Sequence, residues 1–189
     1  MMKNVKIPRS QATRERIAEE ARKLFGELGY QGTTVRLVAS RAAIHPSLVM
    51  RYFGSKEGLF AIAAQFDLRL PDLSRVAKQK RGEFLASYFL QRWEGPDAGD
   101  ELPALLQVSV THPDGKRRLA KIFRDQLYPA VLKAVGPQRA TTCSALIATQ
   151  AIGLAFTRYV LELPPVVQLS EDEIVEAVGA TFQRYFDDR

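Results

Sequence analysis

The chain has 189 residues and a mass of 21.2 kDa, with 46% hydrophobic and 25% charged residues. That length holds one domain, or a small domain beside a medium one, and the composition excludes wholesale disorder, collagen and low-complexity classes. The net charge is +6, and the excess lies in residues 1–65, where 11 Lys+Arg face 5 Asp+Glu; residues 66–189 carry 16 of each.

A chain of this size buries roughly 70% of its unfolded surface and needs no metal or disulfide to fold. A single cysteine, Cys143, excludes a disulfide framework and a Cys-rich zinc site and fits a reducing cytoplasm. A basic first third joined to a neutral remainder suggests a nucleic-acid-binding module joined to something else. The alternative is a solvated basic face. No membrane partner is expected, because no helix pairs a basic face with exposed Trp or Phe. The opening Met1–Arg9 has charge but no apolar run, so no secretory signal is expected. Lys3, Lys6 and Arg9 are candidates for an arm toward a groove, with disorder without contact as the plainer reading.

Helical periodicity starts with Ile17, Ala21, Leu24, Phe25 and Leu28 on one face. Gly29 suits the left-handed position just past that helix. Val35, Val38, Ala39 and Ala42 repeat the pattern, with Thr33 or Thr34 as cap. A short third helix is expected from Pro46 to Phe53, with Pro46 at the first helical position. At one to two turns it is stable only when docked. Ser55 caps a fourth helix that turns Leu59, Phe60, Ala63 and Phe66 inward. Leu70 to Ala77 reads as a connector without the composition of a flexible linker.

The remainder reads as helices over about 79–94, 101–111, 115–134, 138–162 and 171–186. Pro129 is expected to kink or end the third of these. Pro164-Pro165 marks a break. Ala145 to Leu163 is the most apolar stretch, but Gln150, Thr157, Arg158 and Glu162 interrupt it, so it falls short of a membrane span. Ser170 with Glu173 forms a capping box for the last helix. No useful period-2 alternation and no internal repeat occurs. The fold class is all-α.

Residues 34–53 fit a helix-turn-helix: two short helices separated by Ala43-Ile44-His45, behind a supporting helix. In such a motif the second helix enters the major groove, which is ~12 Å wide. The whole stretch from Thr33 to Phe60, TTVRLVASRAAIHPSLVMRYFGSKEGLF, resembles the DNA-binding signature of the tetracycline-repressor (TetR) family. Ile17, Ala21, Leu24-Phe25, Gly29-Tyr30 and Gly32 resemble that family's first helix and its exit. Residues 92–97 and 161–165 resemble segments of actinobacterial members. The resemblance implies a DNA-binding domain over residues 1–65 and an all-α effector-binding and dimerisation domain over 66–189. It departs at Ala43, where Gly is frequent, at His45, where Ser or Thr is frequent, and at Met50, where Tyr is frequent. Met50 lacks the hydroxyl that reaches a phosphate and offers contact with a thymine methyl, or packing, instead.

The expected DNA-binding residues are Thr34, Arg36, Pro46, Ser47, Met50, Arg51, Tyr52 and Lys56. Thr34, Tyr52 and Lys56 are assigned to phosphates, Arg36, Pro46 and Ser47 to base edges, and Arg51 to phosphate or solvent. Lys56 opposes a helix dipole, which makes a phosphate partner more favourable. His45 reads as a turn residue. Expected partners are operator DNA with an inverted repeat, a second copy of the chain, and a small apolar or amphipathic effector. The dimer is expected through the last two helices, by Ala145, Ala148, Ala151 and Ala155 with Ile174, Val178, Phe182 and Phe186.

Phe84, Leu85, Tyr88, Phe89 and Trp93 follow helical spacing and are mostly expected in the core. Tyr88, Trp93, His112, Tyr128, Gln150 and Thr157 are the candidate effector-binding residues, between about 79–134 and the facing side of 138–162. Cys143 is expected as a small buried residue, with a redox sensor as the alternative. His45 and His112 define no metal site by spacing, and no cofactor is expected. No phosphate-cradling Gly loop, nucleophile elbow or catalytic pair stands out. The expected activity is that of a transcription regulator, a repressor released by an effector. The rival readings are a helical nucleotide- or RNA-binding enzyme without a recognisable catalytic motif, and a helical scaffold.

Overall fold

The structure, a computed structural model, describes residues 9–63, 67–95, 101–111 and 113–187. It is all-α, with no strand among the described residues. Helix α1 (Arg9–Gly32) is broken at Gly29, whose φ of 68° lies in the left-handed region. Its apolar face buries Ile17, Ala21, Leu24 and Phe25. Leu28, expected on that face, is 48% exposed. The chain turns back after Gly29, and the Tyr30 ring closes the core instead, 4.8 Å from Phe60.

Helix α2 (Val35–Arg41) starts at Thr34, whose Oγ1 accepts the Leu37 N–H at 3.1 Å. Thr33 is buried, and its hydroxyl donates to the Gly29 carbonyl at 2.9 Å. Helix α3 (Pro46–Phe53) follows a turn in which Ala43 has φ 50°. A Cβ in that region is unfavourable by about 1–2 kcal/mol. Ala43→Gly should therefore raise stability by about 0.5–1 kcal/mol after the extra unfolded-state entropy of glycine is subtracted. Chemical denaturation checks this, and a destabilised variant would show that the Ala43 methyl packs favourably.

Helix α4 (Lys56–Ala63) is capped by Ser55, whose Oγ accepts the Gly58 N–H at 3.0 Å. Leu59, Phe60 and Ala63 complete a first core with Val38, Ala39, Val49 and Phe53. Phe66 lies outside the described residues.

A second core gathers Leu73, Leu85, Ala86, Leu127, Val131, Cys143, Ile147, Phe182 and Phe186. The connector into it is tightly held. Leu73 is fully buried, and the buried Arg81 guanidinium donates to the carbonyls of Leu73 (3.1 Å), Val76 (3.3 Å) and Ala134 (2.8 Å). These bonds satisfy a charge that would otherwise be costly inside. Two 3₁₀ turns, Leu73–Arg75 and Lys78–Lys80, precede α5 (Arg81–Glu94). Phe84 sits at the surface, 37% exposed, stacked on Tyr88.

Helix α6 (Glu101–Thr111) packs on α4 and on α7 (Pro113–Ile122). The helical path from α7 does not end at Pro129. It widens into a π turn, Phe123–Leu127, and continues as α8 (Tyr128–Val135). The turn places Pro129 in the first turn of a new helical segment, where its missing donor does no harm. Gly136, at φ 79°, leads into α9 (Pro137–Ala155), which ends in a second π turn, Phe156–Val160. By length and composition Pro137–Val160 is apolar enough to cross a membrane, contrary to the sequence reading. Ala140, Cys143, Ser144, Ile147 and Ala155 turn one side of it into the fold. Pro164-Pro165 starts a one-turn helix, α10 (Pro164–Val167), rather than a plain break. Helix α11 (Glu171–Phe186) has its capping box: the Ser170 N–H donates to Glu173 Oε2 at 2.8 Å, and the Glu173 N–H to Ser170 Oγ at 3.3 Å.

Helices α5 and α11 pack against each other through Gly82 and Gly179. The Gly82 N–H donates to Gln183 Oε1 at 2.9 Å. This close approach turns Ile174, Phe182 and Phe186 into the chain's own interior, with Val178 half-buried. That apolar stripe is therefore not a dimer surface, which corrects the expectation. Ala148, Ala151 and Ala155 likewise face inward, while Ala145 is exposed.

Candidate nucleic-acid interface

Val49 and Phe53 anchor α3 in the first core, which leaves its other side to solvent. Ser47 and Arg51 are exposed, Met50 is 44% exposed, and Pro46 is half-buried at the first helical position. The N-cap is His45, whose Nδ1 accepts the Ser47 N–H at 3.3 Å and lies 2.8 Å from Ser47 Oγ. The imidazole thus orients the residue expected nearest the bases. Gly54, at φ 76°, closes the helix, and its N–H donates to the Met50 carbonyl at 2.8 Å.

Thr34 and Arg36 are exposed at the start of α2. Tyr52 is half-buried, with the Arg51 guanidinium 5.4 Å over its ring. Lys56 opens α4, and its ammonium sits 4.2 Å over the Tyr30 ring. That aromatic face offsets part of the repulsion between the cation and the helix N-terminus. The Tyr30 hydroxyl donates to Glu57 at 2.6 Å and holds that carboxyl below its ordinary range. The Arg14 guanidinium lies 5.4 Å over Phe53. The eight expected residues thus come from α2, α3, their caps and the start of α4. Tyr30 and Arg14 were not read as site residues from the sequence, because each acts through a group of another segment. The capping role of His45 is local, a bond to the residue two positions on, and was missed because His45 was read only as a turn residue. Lys3 and Lys6 lie outside the described residues, and Arg9 begins α1.

A second site lies among the later helices: a cavity of about 530 Å³ walled by α5, α6, α7, the π turn after it, α9, α11 and the connector. Tyr88 and Trp93 line it. Tyr88 donates its hydroxyl to the carbonyls of Leu68 (2.9 Å) and Arg69 (2.5 Å), and burial pushes its pKa up. Tyr128, Gln150 and Thr157 do not line it. The Thr157 hydroxyl donates back to Gly153 and Leu154 in its own helix, a local bond open to any helical threonine. His112 lies outside the described residues.

Trp93 stacks on Tyr159 at 4.7 Å and 7°. Burial would raise the Glu94 carboxyl, but hydrogen bonds from Arg158 (2.7 Å) and Tyr159 (2.6 Å) outweigh it and hold the group below its ordinary range. Arg158 also donates to the Val166 carbonyl at 2.6 Å, tying α10 to the end of α9. Burial pushes the Cys143 thiol up to about 11, so it stays protonated at neutral pH, unlike a redox-sensing thiolate. Among the described residues no three His, Cys, Asp or Glu side chains are grouped to hold a metal ion.

Residues 17–63 match the family model for bacterial regulatory proteins of the tetR family, and residues 79–186 match that for the tetracyclin repressor-like C-terminal domain. The chain is 31% identical over 97 residues to the HTH-type transcriptional repressor AcnR of Corynebacterium efficiens, a stretch covering 51% of this chain and 49% of that protein. It spans about half the length of the curated relatives it matches. A TetR-family regulator of Streptomyces coelicolor A3 is 25% identical, with 97% of this chain and 99% of that one covered and a TM-score of 0.44. A transcriptional regulator of Rhodococcus sp. Rha1 is 23% identical, with 91% and 95% covered and a TM-score of 0.46. Because the C-terminal model alone matches more than half of the chain and the N-terminal model matches the helix-turn-helix region, the chain belongs to the tetR family of bacterial regulatory proteins.

Proposed function

We propose that this chain is a sequence-specific DNA-binding transcription repressor of the cytoplasm, with residues 1–65 as the DNA-binding domain and 66–189 as the effector and dimerisation domain. The observation that carries the reading is α3: capped, anchored by Val49 and Phe53, and exposing Ser47, Met50 and Arg51 beside Thr34, Arg36 and Lys56. Thr34, Tyr52 and Lys56 hold phosphates, which positions the protein without reading sequence. Arg36, Pro46 and Ser47 meet base edges, Met50 meets a thymine methyl, and Arg51 reaches the backbone. The relatives named as repressors support this reading, and none supports a nucleotide- or RNA-binding enzyme.

The functional unit is a homodimer through the outward faces of α9 and α11. On α9 these carry Thr142, Ala145, Leu146, Thr149, Ile152 and Gly153 at helical spacing, and on α11 Ala177 and Ala180; all are exposed in the single chain. A small apolar or amphipathic effector occupies the cavity lined by Tyr88 and Trp93. It favours an arrangement in which the two α3 helices no longer match the operator.

Selection from a randomised duplex library, followed by mobility shift, tests the reading. An inverted repeat with half-sites ~34–36 Å apart, or a multiple of that, is the expected product, bound by two chains. Lys56→Ala should weaken all sequences alike and reduce the salt slope by ~0.9 per lost phosphate contact, ~1.8 per dimer. No enrichment over random DNA would overturn the repressor reading. A Lys56→Ala protein with an altered preferred sequence would overturn the phosphate assignment.

A further inference from the structure

His45 and Ser47 share two contacts, and together these fix where one proton sits. The Ser47 backbone N–H donates to His45 Nδ1 at 3.3 Å. A backbone N–H only donates, so Nδ1 is the bare nitrogen of a neutral ring whose proton is on Nε2. Ser47 Oγ lies 2.8 Å from the same Nδ1. With no proton on that nitrogen, the hydroxyl is the donor of this contact. A serine hydroxyl has one proton and two lone pairs. The proton is committed to the imidazole, and lone pairs are what Ser47 has left for a base.

The pair stands where base edges are met. Ser47 follows Pro46 at the start of α3, and both His45 and Ser47 are exposed. Val49 and Phe53 hold the other side of the helix in the first core. The N-terminal residues of such a helix reach base edges in the major groove. There the amino groups of adenine and cytosine donate, while the keto oxygens of thymine and guanine accept. An unconstrained serine hydroxyl pairs with either kind. A serine or threonine in place of His45 would keep that freedom, because its own hydroxyl can donate to Ser47 Oγ as well as accept from it. The imidazole nitrogen only accepts and so removes the choice.

We propose that His45 is a positioning residue for sequence readout: it makes Ser47 a hydrogen-bond acceptor, directed in each half-site at the amino group of adenine or cytosine. The proposal rests on the reading of Ser47 as a base-edge residue and adds the class of base it reads.

The probe is the duplex that the full chain selects from the randomised library, used in competition mobility shift. Ser47→Ala locates the position: preference there should fall about fivefold, the net worth of one hydrogen bond, with other positions unchanged. Purine in place of adenine, or 2-pyrimidinone in place of cytosine, then deletes the amino group of that base pair. The deletion should weaken the parent about fivefold more than it weakens Ser47→Ala. His45→Ala returns the hydroxyl proton to Ser47, so preference should relax at this one position, and in the Ser47→Ala background it should change no preference. His45→Asp is the rescue. A carboxylate only accepts and is a good helix cap, so it should restore the preference while its charge weakens all sequences alike. Equal weakening of every sequence in His45→Ala, with preference at the Ser47 position intact, would mean a merely structural cap and overturn the proposal. Equal loss in parent and Ser47→Ala on deleting the amino group would overturn it too. Both results leave the repressor reading standing, because a sequence was selected. Unchanged preference in Ser47→Ala would overturn the proposal together with the base-edge assignment of Ser47. No selected sequence would overturn the proposal and the repressor reading alike.

Discussion

Gly82→Ala is expected to destabilise the protein by about 3 kcal/mol, the upper end for an overpacked core. A Cβ at Gly82 would lie 2.3 Å from the Gly179 carbonyl oxygen, 2.4 Å from the Gln183 nitrogen and 2.7 Å from Gln183 Cβ. Two of these are backbone atoms, which cannot rotate away, so α5 and α11 would have to separate. Separation would loosen Phe182, which is 1% exposed, from Leu85 and Ala86. It would also break the Gly82–Gln183 hydrogen bond. The gain in helix propensity from glycine to alanine, roughly 0.5–1 kcal/mol, is too small to compensate. Gly26→Ala is the control: nothing lies within 4 Å of its added Cβ, so the propensity gain should appear as added stability. Thermal and urea unfolding measure both. A Gly82→Ala protein as stable as the parent would mean that the two helices do not approach this closely.

Arg36→Ala is expected to lose about 1–3 kcal/mol of operator affinity per half-site, as for a bidentate arginine–guanine pair. It should also relax preference at one position in each half-site. Arg36 is exposed on α2, whose Val38 and Ala39 hold the opposite side in the first core, so its removal leaves no cavity. Arg36→Lys separates charge from geometry. It keeps the cation and hence the salt slope, but loses the fork that reads two acceptors at once. Competition across a randomised operator library at two salt concentrations reads both effects. If Arg36→Ala changed only the salt slope, Arg36 would be a phosphate anchor. If neither Arg36→Ala nor Lys56→Ala altered binding, residues 34–56 would not be the DNA-reading element.

The starts of α2, α3, α4 and α11 were legible because their signals act within one turn. Thr34 reaches the N–H three residues on, Pro46 has no donor to lose, Ser55 reaches Gly58, and Ser170 and Glu173 satisfy each other. The same locality made the helix-turn-helix, its exposed residues and the all-α class readable in chain order. Periodicity also marked the apolar stripe of α11, but a stripe says only that a face is covered, not by what. Gly82 and Gly179 bring α5 against it, so the face expected to meet a second chain meets its own. Leu28 kept the spacing of α1 yet lost its place to Tyr30, because the turn at Gly29 redirects the chain. Pro129 kept its missing donor, and a π turn before it removed the conflict. The cavity depended most on tertiary structure. Its wall draws on α5, α6, α7, the π turn after it, α9, α11 and the connector, so Tyr88 and Trp93 reach it while Tyr128, Gln150 and Thr157 do not. Caps and periods are interactions of near neighbours along the chain. The partner of each face is set by how closely backbones approach, and that is decided only when distant helices pack.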